Sequence, residues 1–143
     1  MNSLKKLGYV DLVESIQKRI EEELQADGKT IPVYDVPPKN QPAPLYYVKV
    51  VGKRPNDTKT MFREVFNVWI YCVSSKEQDD RTEVYEMIET VEEAFTKPIS
   101  LPEGFTLITQ SEEGLRNIQR DESGEWDAVL EFSFMIAYGF KCK

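Results

Sequence analysis

The chain has 143 residues, 41% hydrophobic and 30% charged, with a net charge of −7 and no histidine. That length suits one domain, residues 1–143, with a real core, and the hydrophobic share argues against a disordered chain. The acidity disfavours free nucleic acid and anionic membranes as partners, and the missing histidine removes the commonest general base and metal ligand, with every Ser-His or Cys-His nucleophile pair.

The two cysteines, Cys72 and Cys142, form neither a CxxC nor a zinc spacing. A buried free thiol at Cys72 and a reducing cytoplasm fit that usage. The first residues, MNSLKKLGYVDLVES, lack the apolar core of a signal peptide. No run approaches the roughly 18 apolar residues of a membrane span.

Tyr9 to Leu24 is the first predicted element. Tyr9, Leu12, Val13, Ile16, Ile20 and Leu24 recur at helical spacing and form one apolar stripe, with Gly28 near the stop. Ile31 to Asp35 reads as a short extended segment. Pro37 to Pro44 holds four prolines in eight residues, which excludes helix and favours a polyproline-like crossing. A ligand for an SH3-type groove is the other reading, without a basic residue that frames it convincingly. Leu45 to Val51 is a strand, with Tyr46, Val48 and Val50 opposite Tyr47, Lys49 and Val51.

Gly52 to Lys59 reads as a polar loop holding Lys53, Arg54 and Lys59, a small basic patch in an acidic chain. It is either a solvated hairpin loop or a mobile loop that orders against an anionic partner. Phe62 to Val73, FREVFNVWIYCV, is the central strand. Phe62, Phe66, Val68, Ile70 and Cys72 lie on one face; Val65, Asn67, Trp69, Tyr71 and Val73 lie on the other. Both faces want cover, which marks a strand inside the sheet.

Ser or Asp residues in 74–80 can cap the next helix, Thr82 to Thr96. Its stripe is Val84, Met87, Ile88, Val91, Ala94 and Phe95, and its glutamates make a solvated face rather than an acid–base pair. Phe105 to Ser111 is a strand. In Glu112 to Gln119, Leu115 and Ile118 fit a helical turn, yet the strand can also continue past a bulge near Gly114. Arg120 to Glu125 is a hairpin loop. Trp126 to Tyr138 alternates cleanly, with Trp126, Ala128, Leu130, Phe132, Phe134, Ile136 and Tyr138 toward the core.

The order predicts an α+β fold: a mostly antiparallel sheet of four or five strands, with two amphipathic helices packed on one face. The other face then carries Val65, Trp69 and Tyr71 with Val129, Met135 and Ala137, unless a loop covers it. An apolar patch of that kind indicates self-association or a partner.

With the elements placed, several patterns resemble the bacteriophage tail completion, or tail terminator-like, family. They are the VYDVPPKNQPAPLYYVKV segment after an amphipathic helix, the strand FNVWIYCVSS, the helix TEVYEMIETVEEAF, and a final strand WDAVLEFSFMIAYG after an acidic turn. The resemblance spans roughly Leu12 to Gly139. It implies a structural protein with no enzymatic activity, no cofactor, no metal and no catalytic residue. It also implies a ring, commonly hexameric, that stops tube polymerisation and joins the tail to the head connector. Its partners are then its own copies, the tail tube protein and the connector, not a membrane or a specific nucleic acid sequence. The resemblance further implies a protein made in the bacterial host cytoplasm that sits at the head-proximal end of the virion tail. Val65, Trp69 and Tyr71, with Lys53, Arg54 and Lys59, are the expected contacts. A cytoplasmic protein-binding adaptor using the same aromatic face is the alternative. An acidic metal-dependent enzyme is a third class, which metal-dependent thermal stabilisation would reveal.

Overall fold

The N-terminal apolar stripe folds as α1 (Tyr9–Ala26), burying Leu12, Val13, Ile16, Ile20 and Leu24; Tyr9 stays half exposed. The computed structural model describes residues 4–75 and 80–141. The stop expected at Gly28 is a paired hydrogen-bond turn. The backbone N–H of Lys29 donates to the Leu24 carbonyl at 2.8 Å and that of Gly28 to the Gln25 carbonyl at 3.0 Å. This turn needs a left-handed residue, and Gly28 has φ 71°. A Cβ there would meet no neighbour, so the cost of Gly28→Ala is conformational. We expect it to destabilise by about 1 kcal/mol, read as a Tm lower by a few degrees in thermal unfolding.

The sheet has five strands: β1 (Val33–Tyr34), β2 (Leu45–Pro55), β3 (Met61–Val73), β4 (Thr106–Arg120) and β5 (Trp126–Phe140). Their order is β1-β2-β3-β5-β4. β1 pairs parallel with β2, and every other pairing is antiparallel. The α+β expectation therefore holds, with the two expected hairpins and β3 inside the sheet.

The helices α1 and α2 (Thr82–Ala94) both cover one face, α1 over β2 and α2 over β3 and β5. Val84, Met87, Ile88, Val91 and Ala94 of α2 are buried. Val84, Met87, Ile88 and Val91 meet Phe66, Val68, Ile70 and Cys72 of β3 and Ala128, Leu130, Phe132, Phe134 and Ile136 of β5 in one core. Phe95, just past α2, packs its ring 4.7 Å from Phe132 and 6.1 Å from Phe134. Cys72 is a buried free thiol, pushed up from its ordinary value by burial. The Tyr46 hydroxyl donates to the Met87 carbonyl at 3.1 Å inside the core. Arg19 of α1 locks the two helices by donating from Nε to the Ala94 carbonyl at 2.8 Å, where a cation suits the end of α2.

Several boundaries differ from the sequence reading, most by one or two residues, and three bear on the site. β2 does not stop at Val51: it runs to Pro55 through a register shift between Val50 and Gly52, because Lys53 and Arg54 pair with Phe66 and Val65 of β3. β4 takes the bulged alternative and continues through Glu112–Gln119, with register shifts at Leu107/Thr109, Glu112/Gly114 and Leu115/Asn117. The second helix closes at Ala94. The N-cap of α2 is Arg81, which makes no side-chain cap, rather than one of the Ser or Asp residues expected there; Asp80, one residue earlier, accepts the Thr82 backbone N–H at 3.1 Å, and residues 76–79 and Cys142 lie outside the described residues.

Candidate functional site: the aromatic sheet face

Strand alternation points Trp69 and Tyr71 away from the helices, and the register supplies their neighbours. Tyr47 of β2 lies opposite Tyr71, and the two rings stack at 4.2 Å with an 8° interplanar angle. Trp69 meets Tyr71 edge-on at 6.3 Å. From the far edge, Arg116 lays its guanidinium 4.7 Å over the Trp69 ring and donates to Glu131 Oε1 at 2.7 Å. A cation over an indole contributes about 0.5–1 kcal/mol at such a partly exposed site. The result is a continuous row from β2 to β4: Tyr47, Tyr71, Trp69, Arg116.

Val65 points to the same side but is buried, between Arg54 and Met135 in register. It supports the face from within. Ala137, expected on this face, is likewise buried.

The three basic residues do not form one loop. Lys53 lies in β2 on the helix side, with its ammonium 3.4 Å from Glu64 Oε2 and 4.6 Å over the Tyr9 ring. Burial pulls its pKa down, but the hydrogen bond to Tyr9 and the Glu64 charge outweigh that and raise it. Glu64 is only 2% exposed and takes Lys6 as a second partner at 3.6 Å. A buried carboxylate needs such cations, so Lys53 acts first as its counter-ion. Arg54 is exposed in β2, and Lys59 is exposed in the turn beyond it. That turn is tied down: Arg63 donates to the Asn56 carbonyl at 2.9 Å and to Asn56 Oδ1 at 2.6 Å, and its backbone N–H reaches Asp57 Oδ1 at 3.0 Å.

Arg116 and Tyr47 are the residues the sequence reading did not single out. The signal for Arg116 was Gly114, whose bulge re-aims the residues after it; the signal for Tyr47 was its place opposite the core-facing Val48.

At one end of the row, Asp127 keeps Oδ1 buried without a partner among the described residues. Burial, with the charges of Asp121 and Glu125 added, pushes its carboxyl up from 3.8 to about 6. The same burial, with Tyr71 and Asp127 beside it, pushes the Tyr47 phenol up to about 12. Between pH 3.8 and about 6 the folded chain holds a proton on Asp127 that the unfolded chain has released. Its contribution to stability therefore falls as pH rises through that window, and the penalty is complete above it. Asp127→Asn is expected to stabilise the protein at pH 7 by on the order of 1 kcal/mol, after discounting for solvent screening. Urea unfolding at pH 4 and pH 7 checks this: the gain over the parent should be present at pH 7 and small at pH 4.

The face offers rings, the Arg116 guanidinium over them and flanking carboxylates, an arrangement suited to gripping another protein surface. Among the described residues no group of three or more His, Cys, Asp or Glu side chains could hold a metal, and no helix is long and apolar enough to cross a membrane.

A protein-family model described as "Putative tail termination protein" matches residues 3–143. A chain of the virion of a native gene transfer agent particle shares the fold: TM-score 0.64 and 19% identity, covering 91% of this chain and 99% of that one. The bacteriophage SPP1 gp17 protein gives a TM-score of 0.49 and 22% identity, covering 86% of this chain and 89% of that one. No curated protein matches the sequence.

Proposed function

The chain belongs to the tail termination family of phage structural proteins, and from that premise we propose that it caps the tail tube and joins it to the head connector. In this reading copies of the chain form a ring, a hexamer on the tail, at the head-proximal end of the virion. The ring is made in the bacterial host cytoplasm and holds the tube protein on one side and the connector on the other. One observation carries the reading: the family match runs over nearly the whole chain, including the strands that build the aromatic face. That face supports the reading: among the described residues it is a half-buried surface of large side chains without a helix over it. The fold shared with a chain of a gene transfer agent virion supports the same reading.

In this proposal Trp69 and Tyr71 are contacts and Val65 their support. Arg54 and Lys59 lie where a neighbouring copy or the tube would meet the β2–β3 end, and Lys53 keeps that end folded through Glu64. Gold-labelled antibody against this chain on purified particles tests the placement. Label at the junction of head and tail is expected. Label along the whole tube, or a chain recovered only with soluble host proteins, would overturn it in favour of an adaptor role.

A further inference from the structure

On one side of the sheet, β1 covers only Tyr46 and Tyr47. Among the described residues nothing pairs with β2 beyond them, so its edge is free from Val48 to Pro55. An unpaired edge is a template for another strand. Here it borders a groove of about 540 Å³ between α1 and the segment after β1. Val10 of α1 lines the groove and is 71% exposed, so the helix carries apolar surface beyond the strand it covers.

The opposite end of the sheet has the reverse defect. β4 is the other outer strand, and α2 lies over β3 and β5 rather than at that edge. Leu115 pairs with the core residue Leu130, which puts it on the helix side, yet it is 46% exposed. One end thus has a helix with apolar surface and no strand beneath it; the other has a strand with apolar surface and no helix above it. The charges also differ. Lys49 and Arg54 are exposed on β2, and Glu112 and Glu113 on β4. The strand directions fit as well: each antiparallel step from β2 to β3, β5 and β4 reverses direction, so β4 of a second copy beside β2 would again be antiparallel.

We infer that the free edge of β2 receives the β4 edge of a second copy of this chain, head to tail, with α1 of one copy covering Leu115 of the next. Such a contact repeats around a closed ring and leaves neither edge open. The bulges of β4 keep its edge from pairing indiscriminately, while Thr109 to Glu112 stay in regular register and provide the run that pairs. The inference rests on the ring proposed above and assigns its interface.

Disulfide trapping tests it. In a Cys142→Ser background, Lys49→Cys chains are mixed with Ser111→Cys chains, both sites lying on the aromatic side of the outer strands. The mixture is oxidised mildly as concentrated protein and on purified tails. The mixture should give covalent dimer at least about tenfold above either chain alone, since the bond forms only between closely apposed backbones. Absence of the mixed product in both settings overturns the inference, as does dimer from Lys49→Cys chains alone, which would mean a two-fold contact. A chain found at the head–tail junction by gold label without the mixed product keeps the proposed function and rejects this interface.

Discussion

Tyr71→Lys is expected to leave the chain folded and to remove it from tails. Tyr71 is half-buried on the face away from the helices, and the core it would have to disturb lies on the other side of β3, at Phe66, Val68, Ile70 and Cys72. The ring does contribute locally, through its stack on Tyr47 at 4.2 Å and its edge contact with Trp69 at 6.3 Å. Aromatic pairs of this kind are worth about 0.5–1.5 kcal/mol each beyond their buried area, so the isolated protein should lose on the order of 1–2 kcal/mol. Lysine is the better probe than glutamate, because Asp127 acts on the same Tyr47 hydroxyl and gives the new cation a partner. In an assembled face the same cation would be desolvated against another protein, and loss of a central aromatic contact typically costs 2 kcal/mol or more, roughly 30-fold or greater in binding. Circular dichroism should give a cooperative transition close to that of the parent, while tails from cells making only the variant should carry little of the chain. Loss of the folded monomer would instead mean that the aromatic face is structural.

Phe132→Ala should have the opposite signature. Phe132 is fully buried, pairs with Val68 on β3 and carries the Phe95 ring at 4.7 Å. Removing the ring deletes its transfer free energy and leaves a cavity under α2 that the sheet cannot close, because β5 is held on both sides by β3 and β4. A loss of about 3–5 kcal/mol is expected, a large share of a domain's stability, with a Tm lower by about 10 °C or more. Thermal unfolding measures it directly. Any assembly defect here should follow the fraction of unfolded chain, whereas in Tyr71→Lys it should not.

The contrast between these two residues was legible in the sequence, because period-two alternation in Phe62–Val73 separates the face of Phe66 and Ile70 from that of Trp69 and Tyr71. The helices were legible for the same kind of reason: Leu12, Ile16 and Ile20, and Val84, Ile88 and Val91, fall at helical spacing and are buried as that spacing demands. What stayed hidden depends on pairing. Gly-Lys-Arg-Pro-Asn at 52–56 has turn composition, yet long-range pairing with Glu64 to Asn67 keeps its first four residues in β2. In Glu112–Gln119 two register shifts break the alternation that would have revealed a strand. Without that strand Arg116 had no position, and its contact with Trp69 could not be foreseen. The counter-ion role of Lys53 was hidden for a further reason: nothing in the local sequence marks Glu64, the middle of a strand, as a buried charge.

The central claim is that this chain ends the tail and couples it to the head, and electron microscopy of particles made without it tests that most directly. Negative-stain images should contain heads without tails and free tails of extended, variable length, restored to one length and joined to heads when the chain is supplied in trans. Tails of normal length attached to heads in its absence would contradict the account.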